Sequence, residues 1–233
     1  MGEYSGKAVS GLKGNDIYDI LKAEILNLKL QPGQTISEPE TAARFGMSRT
    51  PVREAFRKME NERLLEVKPK VGTRVARIQM KKVFDVLYIR EAVEAYIYQT
   101  LSRNMEAHSI QKMSILLAKQ KLLLEEEGDS QEGAAKFLAL DNQFHKEFFE
   151  IAGKSGVWEI LTESCFDYER TRIFLNVSQE LHMRENYREH ELLLTYLVDG
   201  KLEELLDHNK THLYGGVSRI FQALKEHPEY FDE

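Results

Sequence analysis

The sequence predicts a mainly α protein in two parts, an N-terminal winged helix-turn-helix followed by a C-terminal all-α antiparallel helical bundle. Three observations carry this. Before residue 78, three short helical patterns, with a tight break ahead of the third, lead into an alternating hairpin. From Lys81 onward every segment has helical periodicity and no strand pattern competes. Charge divides at the same place: residues 1–78 hold 14 Lys and Arg against 10 Asp and Glu, and the remainder holds 18 against 28.

A chain of 233 residues, 42% hydrophobic and 30% charged, has room for one large or two small domains, at about 100–200 residues each. The single cysteine, Cys165, excludes an internal disulfide framework and a Cys-based zinc finger, and favours a reducing compartment. The sequence offers neither a signal peptide nor an apolar run that could span a bilayer. A cytoplasmic protein with no membrane partner is therefore expected. Residues 1–14 lack periodicity and read as a flexible tail, leaving 15–78 and 81–227 as the two domains.

In the first domain, Ile17, Ile20, Leu21, Ile25 and Leu28 share one face of a helix over 15–29, with Asn15 as its cap and Pro32-Gly33 as its end. Ser37-x-x-Glu40 has capping-box spacing, Pro39 suits a first turn, and Gly46 stops the short helix they begin. A third helix, capped by Ser48 or Thr50 with Pro51 in its first turn, runs to about Glu62. Helical geometry puts Arg49, Arg53 and Arg57 on one narrow arc and Val52, Ala55, Phe56 and Met59 on another. Such a helix can pack and still present a basic stripe. Its N-terminal end, with Ser48, Arg49 and Thr50, suits the phosphates and base edges of a major groove. LLEVKPKVGTRVARI reads as a hairpin with Lys70 and Gly72 at its tip, Lys70 placed to touch the DNA backbone or minor groove. Double-stranded operator DNA is the expected partner; a merely solvated basic face is the alternative.

The second domain reads as helices over roughly 81–103, 108–127, 132–152, 156–176, 180–198 and 201–224. Polar residues interrupt their apolar faces. Asp141 and His145 stand one turn apart among Phe137, Phe144 and Phe148; His190 lies between Met183, Leu194 and Leu197. His212 sits on the shoulder of the Leu202, Leu205, Leu206 and Leu213 face, and His208 further out. Burying a carboxylate and imidazoles is costly unless something satisfies them. A divalent transition metal held by Asp141, His145, His190 and His212 would do so, and this mixed N/O set suits zinc or nickel. Hydrogen-bonded core histidines are the alternative. Arg90 and Glu94 lie within the arc of Val86, Val93, Ile97 and Leu101, and Arg172 shares a face with Leu161, Cys165 and Tyr168. Arg90 reads either as half of a buried ion pair or, with Arg172, as a guanidinium aimed at the carboxylate of a small effector.

The run PGQTISEPETAARFGMSRTPVREAFRKME and the later KVGTRVA resemble the winged-helix domain of GntR-family transcription regulators, over roughly residues 15–78. The resemblance implies that Arg49, Thr50 and Arg53 contact operator bases and phosphates and that Gly72 is the wing-tip glycine. Pro39 stands where many relatives carry a further DNA-contacting arginine. LDNQFHKEFFEIAG, YREHELLLTYLVDG and LDHNKTHL resemble the FCD effector domain of the FadR-type branch of that family. This implies metal ligation by Asp141, His145, His190 and His212, with a small organic or sugar acid bound beside the metal. Lys154 stands where the family commonly has asparagine. The implied protein is a homodimeric transcription regulator whose operator affinity follows its effector. A regulator that senses the metal itself is a second reading. An enzyme is not expected, since HExxH and a nucleotide-binding loop are both missing from the sequence.

Overall fold

The computed structural model describes residues 14–68, 72–103, 105–127, 130–162, 165–178 and 182–232. They form two compact units. One comprises the described residues up to Gln79 together with the segment from His227; the other is Met80–Glu226. No helix among the described residues is long and apolar enough to cross a membrane.

The first unit opens with α1 (Gly14–Leu26), which buries Ile17, Leu21 and Ile25 and leaves Ile20 and Leu28 half-buried. It begins one residue before Asn15, so Asn15 lies inside the first turn rather than capping it; its side chain is outside the described residues. The helix expected over 15–29 closes earlier, at Leu26. Leu28 takes a left-handed φ of 57°, and the Leu30 N–H reaches back to the Glu24 carbonyl at 3.0 Å, so the chain leaves the helix before the proline. After β1 (Thr35–Ile36), α2 (Glu38–Phe45) starts where the capping box predicts: Ser37 Oγ accepts from the Glu40 N–H at 3.3 Å and donates to Glu40 Oε2 at 2.7 Å. Gly46, at φ 63°, closes it in the left-handed conformation that glycine adopts without steric cost.

Helix α3 (Arg49–Asn61) buries Val52, Ala55, Phe56 and Met59, as the arc arithmetic requires, and packs on α1 and α2. Then β2 (Leu65–Lys68) pairs antiparallel with β3 (Gly72–Val75), Lys68 opposite Gly72. The expected two-stranded hairpin is in fact a three-stranded sheet of order β1-β3-β2, because Thr35 and Ile36 pair with Arg74 and Thr73. Lys70 lies outside the described residues, as does the tail except for Gly14. Within the same unit, β4 (Ile78–Gln79) pairs in parallel with β5 (Phe231–Asp232), and Phe231 is buried. The expectation that no strand follows Lys81 is therefore corrected. Two residues are too few to show alternation in sequence.

The second unit is a helical bundle: α4 (Met80–Leu101), α5 (Ala107–Glu126), α6 (Gln131–Ile151), α7 (Ser155–Thr162), α8 (Phe166–Ser178), α9 (His182–Val198), α10 (Leu202–Tyr214) and α11 (Val217–Glu226). Two helices read as continuous are divided. The 156–176 pattern is α7 and α8, and the 201–224 pattern is α10 and α11, parted at Gly215-Gly216. A Cβ at Gly215 would meet the Thr211 carbonyl oxygen at 2.9 Å, so only glycine fits that close turn. The main core gathers Ile97 and Tyr98 of α4, Met113 of α5, Phe144 and Phe148 of α6, and Leu193 and Leu197 of α9. Tyr98 and Phe144 both meet Phe148 edge-to-face, at 5.0 and 5.1 Å between centroids.

Candidate DNA-reading face and candidate metal and effector centre

In the first unit the polar side of α3 is open. Ser48, Arg49, Thr50, Arg53 and Arg57 are all exposed, opposite the buried Val52, Phe56 and Met59. Ser48 occupies the N-cap position in extended conformation but its side chain makes no capping hydrogen bond. The N-terminal amides of α3 are thus not capped by their own N-cap hydroxyl, which suits a phosphate. Arg53 is not a bare cation: its Nε donates to Glu38 Oε2 at 3.2 Å, with Arg53 about half exposed. A pair this exposed is worth about 0–1 kcal/mol and is readily exchanged for a phosphate contact. Gly72 is exposed at φ 125°, with open space around its Cβ position, so backbone conformation alone demands glycine there.

In the bundle, α6, α9 and α10 bring His145, His190 and His212 together, with one ligand nitrogen from each lying within 4.8 Å of the others. His145 Nε2 and His212 Nε2 are 3.2 Å apart. His145 and His190 are 1% and 0% exposed, and Phe144 stacks on the His190 ring at 4.5 Å. Asp141, one turn before His145, flanks this trio. Its Oδ1 is 3.3 Å from His190 Nε2, in an alignment that leaves that nitrogen without a hydrogen bond, and its Oδ2 is 3.9 Å from His145 Nε2. Burial pushes both His145 and His190 below the ordinary imidazole range; the Arg90 charge adds to this at His145, while Asp141 opposes it at His190. Burial by itself would raise the Asp141 carboxyl, but Arg172 and His190 hold it well below the usual carboxylate range. The result is neutral imidazoles beside an anionic carboxylate. A divalent transition metal fits this donor set: it would turn convergent lone pairs and an orphaned buried nitrogen into ligands.

The two arginines singled out by sequence are both engaged. Arg172 Nη2 donates to Asp141 Oδ2 and its Nη1 to Asn142 Oδ1 at 2.6 Å, so Arg172 is the counter-ion of the carboxylate. Arg90 forms the buried pair that sequence offered as one reading, its Nε 2.7 Å from Glu94 Oε1, and its Nη1 donates to the Tyr168 hydroxyl at 2.7 Å. Its Nη2 joins the ion pair but has no aligned hydrogen-bond acceptor. Both arginines, with Asp141 and His212, line a cavity of about 50 Å³, which Tyr168 and Asn186 share.

Sequence reasoning missed two residues behind the imidazoles. Gln120 of α5 is fully buried and meets His190 Nδ1 at 2.9 Å; Glu189 of α9 meets His212 Nδ1 at 2.7 Å. For Gln120 a signal existed, because Met113, Leu116 and Leu124 put it in the middle of the apolar stripe of α5. Nothing in the sequence around Glu189 announces its partner.

A winged helix with an open basic third helix, carried on the same chain as a helical bundle with a buried donor cluster and a polar cavity, has the layout of a DNA-binding transcription regulator. Residues 13–75 match bacterial regulatory proteins of the gntR family, and residues 85–215 match the FCD domain. The chain belongs to the GntR family of transcription regulators and carries an FCD domain. It is 29% identical over 219 residues to an uncharacterized HTH-type transcriptional regulator in an unstable DNA locus of Streptomyces ambofaciens, covering 93% of this chain and 88% of that one. The HTH-type transcriptional repressor RspR of Escherichia coli K12 is 29% identical over 156 residues, 67% of this chain and 66% of RspR. The gluconate operon transcriptional repressor of Bacillus licheniformis is 22% identical over 174 residues, 75% and 68% of the two chains. The fold is similar to that of E. coli McbR/YncC, with a TM-score of 0.67 at 19% identity, covering 90% of this chain and 97% of that one.

Proposed function

We propose that the protein is a homodimeric, cytoplasmic transcriptional repressor whose operator affinity is set by a small carboxylate bound beside a divalent metal. In this reading residues 15–78 read DNA, through Ser48, Arg49, Thr50, Arg53, Lys70 and Gly72, and residues 81–227 form the effector domain. Asp141, His145, His190 and His212 hold zinc or nickel, and Arg90, with Arg172, faces the carboxylate of an organic or sugar acid. One observation carries the reading: the buried cluster of three imidazoles opens, through His212 and Asp141, onto the cavity that Arg90 also lines. The FCD match and the repressors among the relatives support it. Burial of the cluster favours a resident ion over a metal that acts as the signal. A two-fold dimer would present paired recognition helices to two half-sites, and a coupling of about 1–3 kcal/mol would change operator affinity usefully.

The test is a thermal-shift screen of small organic and sugar acids against metal-loaded and chelator-stripped protein. At least one acid is expected to stabilise the loaded protein, to lose its effect on stripping, and to lose it in Arg90→Ala. A stabilisation that survives both changes would place the acid elsewhere.

A further inference from the structure

All three imidazoles turn Nδ1 away from the point where their Nε2 atoms meet, and each Nδ1 faces an oxygen. His212 Nδ1 is 2.7 Å from Glu189 Oε2, His190 Nδ1 is 2.9 Å from Gln120 Oε1, and His145 Nδ1 is 3.7 Å from Glu94 Oε2. For His212 the direction of the bond is settled by chemistry. An ionised carboxylate only accepts, so the imidazole carries its proton on Nδ1. For His190 the same conclusion comes one bond further out. The Gln120 amide nitrogen lies 3.3 Å from the Leu140 carbonyl, which can only accept, so the NH₂ faces Leu140 and the amide oxygen faces His190. Gln120 is fully buried, so the amide has no solvent to turn towards.

A neutral imidazole with its proton on Nδ1 has its lone pair on Nε2. Free histidine in water favours the opposite tautomer, whose Nε2–H would block coordination. The bundle therefore imposes the less common form at two rings, through residues on α5 and α9 that stand outside the donor set. Helix α9 does both jobs at once: His190 offers a donor nitrogen, and its neighbour Glu189 orients the ring offered by α10.

We infer that Gln120 and Glu189 are positioning residues for a bound divalent cation: they set the Nδ1–H tautomers of His190 and His212 in advance, so that two Nε2 lone pairs converge. This rests on the metal reading above. Partners of this kind commonly change metal affinity by about 10- to 100-fold. Glu94, 3.7 Å from His145 Nδ1 and paired with Arg90 through Oε1, makes no hydrogen bond to His145, so it sets no tautomer there.

The experiment has two arms on the full-length chain. Two-bond ¹H–¹⁵N spectra of the histidine rings in metal-stripped protein read the tautomers directly; His190 and His212 are expected as Nδ1–H. Zinc affinity is then measured by chelator competition. Gln120→Met and Glu189→Met are expected to bind zinc about 10- to 100-fold more weakly, each with its partner ring shifted to Nε2–H. Glu189→Gln keeps an accepting oxygen and is expected to stay close to wild type. An Nε2–H tautomer at His190 and His212 in the wild type would overturn the inference, as would wild-type zinc affinity in both methionine variants. If Gln120→Met does not fold, the half-buried Glu189 pair of variants and the wild-type spectrum still decide. Failure of the underlying metal reading has its own signature: Nδ1–H tautomers in place and no zinc bound by wild type, which removes the positioning role along with the ion.

Discussion

The two units handle charge in opposite ways. In the reading head, Arg49, Arg53 and Arg57 are exposed, and Glu38 holds Arg53 at the surface. In the bundle, Arg90, Glu94, Asp141, His145 and His190 are each at most 5% exposed and answer one another at short range. Exposed cations stay available to a polyanion at little cost to the fold. Buried ones are affordable only as complete sets, so their arrangement is part of the stability of the domain that holds them. Function in the head can thus be removed without unfolding it, while in the bundle site and fold are hard to separate.

The sharpest test of this contrast is Glu94→Ala. It leaves the Arg90 guanidinium buried beside Tyr168 without its anion, and is expected to cost about 3–5 kcal/mol in chemical denaturation. Arg53→Ala should stay within about 0.5 kcal/mol of wild type in the same assay. Equal losses would end the comparison. Metal removal comes next. With free zinc at about 100 times its dissociation constant, chelation should cost wild type about 2.7 kcal/mol of stability, and His190→Ala should show no such response. Calorimetric scans with and without chelator check this, and an identical shift in both proteins would place the ion outside the cluster.

Smaller effects are expected in the head. Arg49→Ala or Arg53→Ala should weaken operator binding by about 1–3 kcal/mol while leaving zinc binding unchanged, as read by gel shift and chelator competition. Undiminished DNA binding would remove α3 from the interface. The smallest effect concerns the cluster joining α1 to the end of α3, where Tyr18 donates to Glu62 at 2.6 Å and Lys22 Nζ lies 3.0 Å from Glu62. Burial raises the Glu62 carboxyl, but the Tyr18 and Lys22 hydrogen bonds win, and Lys58 adds to them, so it sits below its ordinary value of 4.5. The folded state then binds fewer protons than the unfolded one. The associated stability is present above pH 4.5 and is lost as pH falls through the lower folded value. Glu62→Gln should cost about 0.5–1 kcal/mol at neutral pH, and the gap to wild type should close in acid. A gap that stays constant from neutral pH down to the onset of acid unfolding would assign the loss to packing.

Sequence by itself determined what depends on one helix at a time. The repeat of about 3.6 residues is local, so it put Val52, Phe56 and Met59 opposite Arg49 and Arg53, and Asp141 on the same face as His145. Ser37, Glu40 and Gly46 act within one turn, and they bound α2 as their spacing requires. What only the tertiary structure decided are the meetings between elements. A helical face has a direction, but periodicity does not say which neighbour fills it. That Arg172 pairs with Asp141, and that Gln120 stands behind His190 from 70 residues away, follows from how α5, α6, α8 and α9 stack. The third strand of the wing and the return of Phe231 to Ile78 were invisible for a related reason. Pairings of two residues carry too little pattern to read, and their stability comes from partners far along the chain.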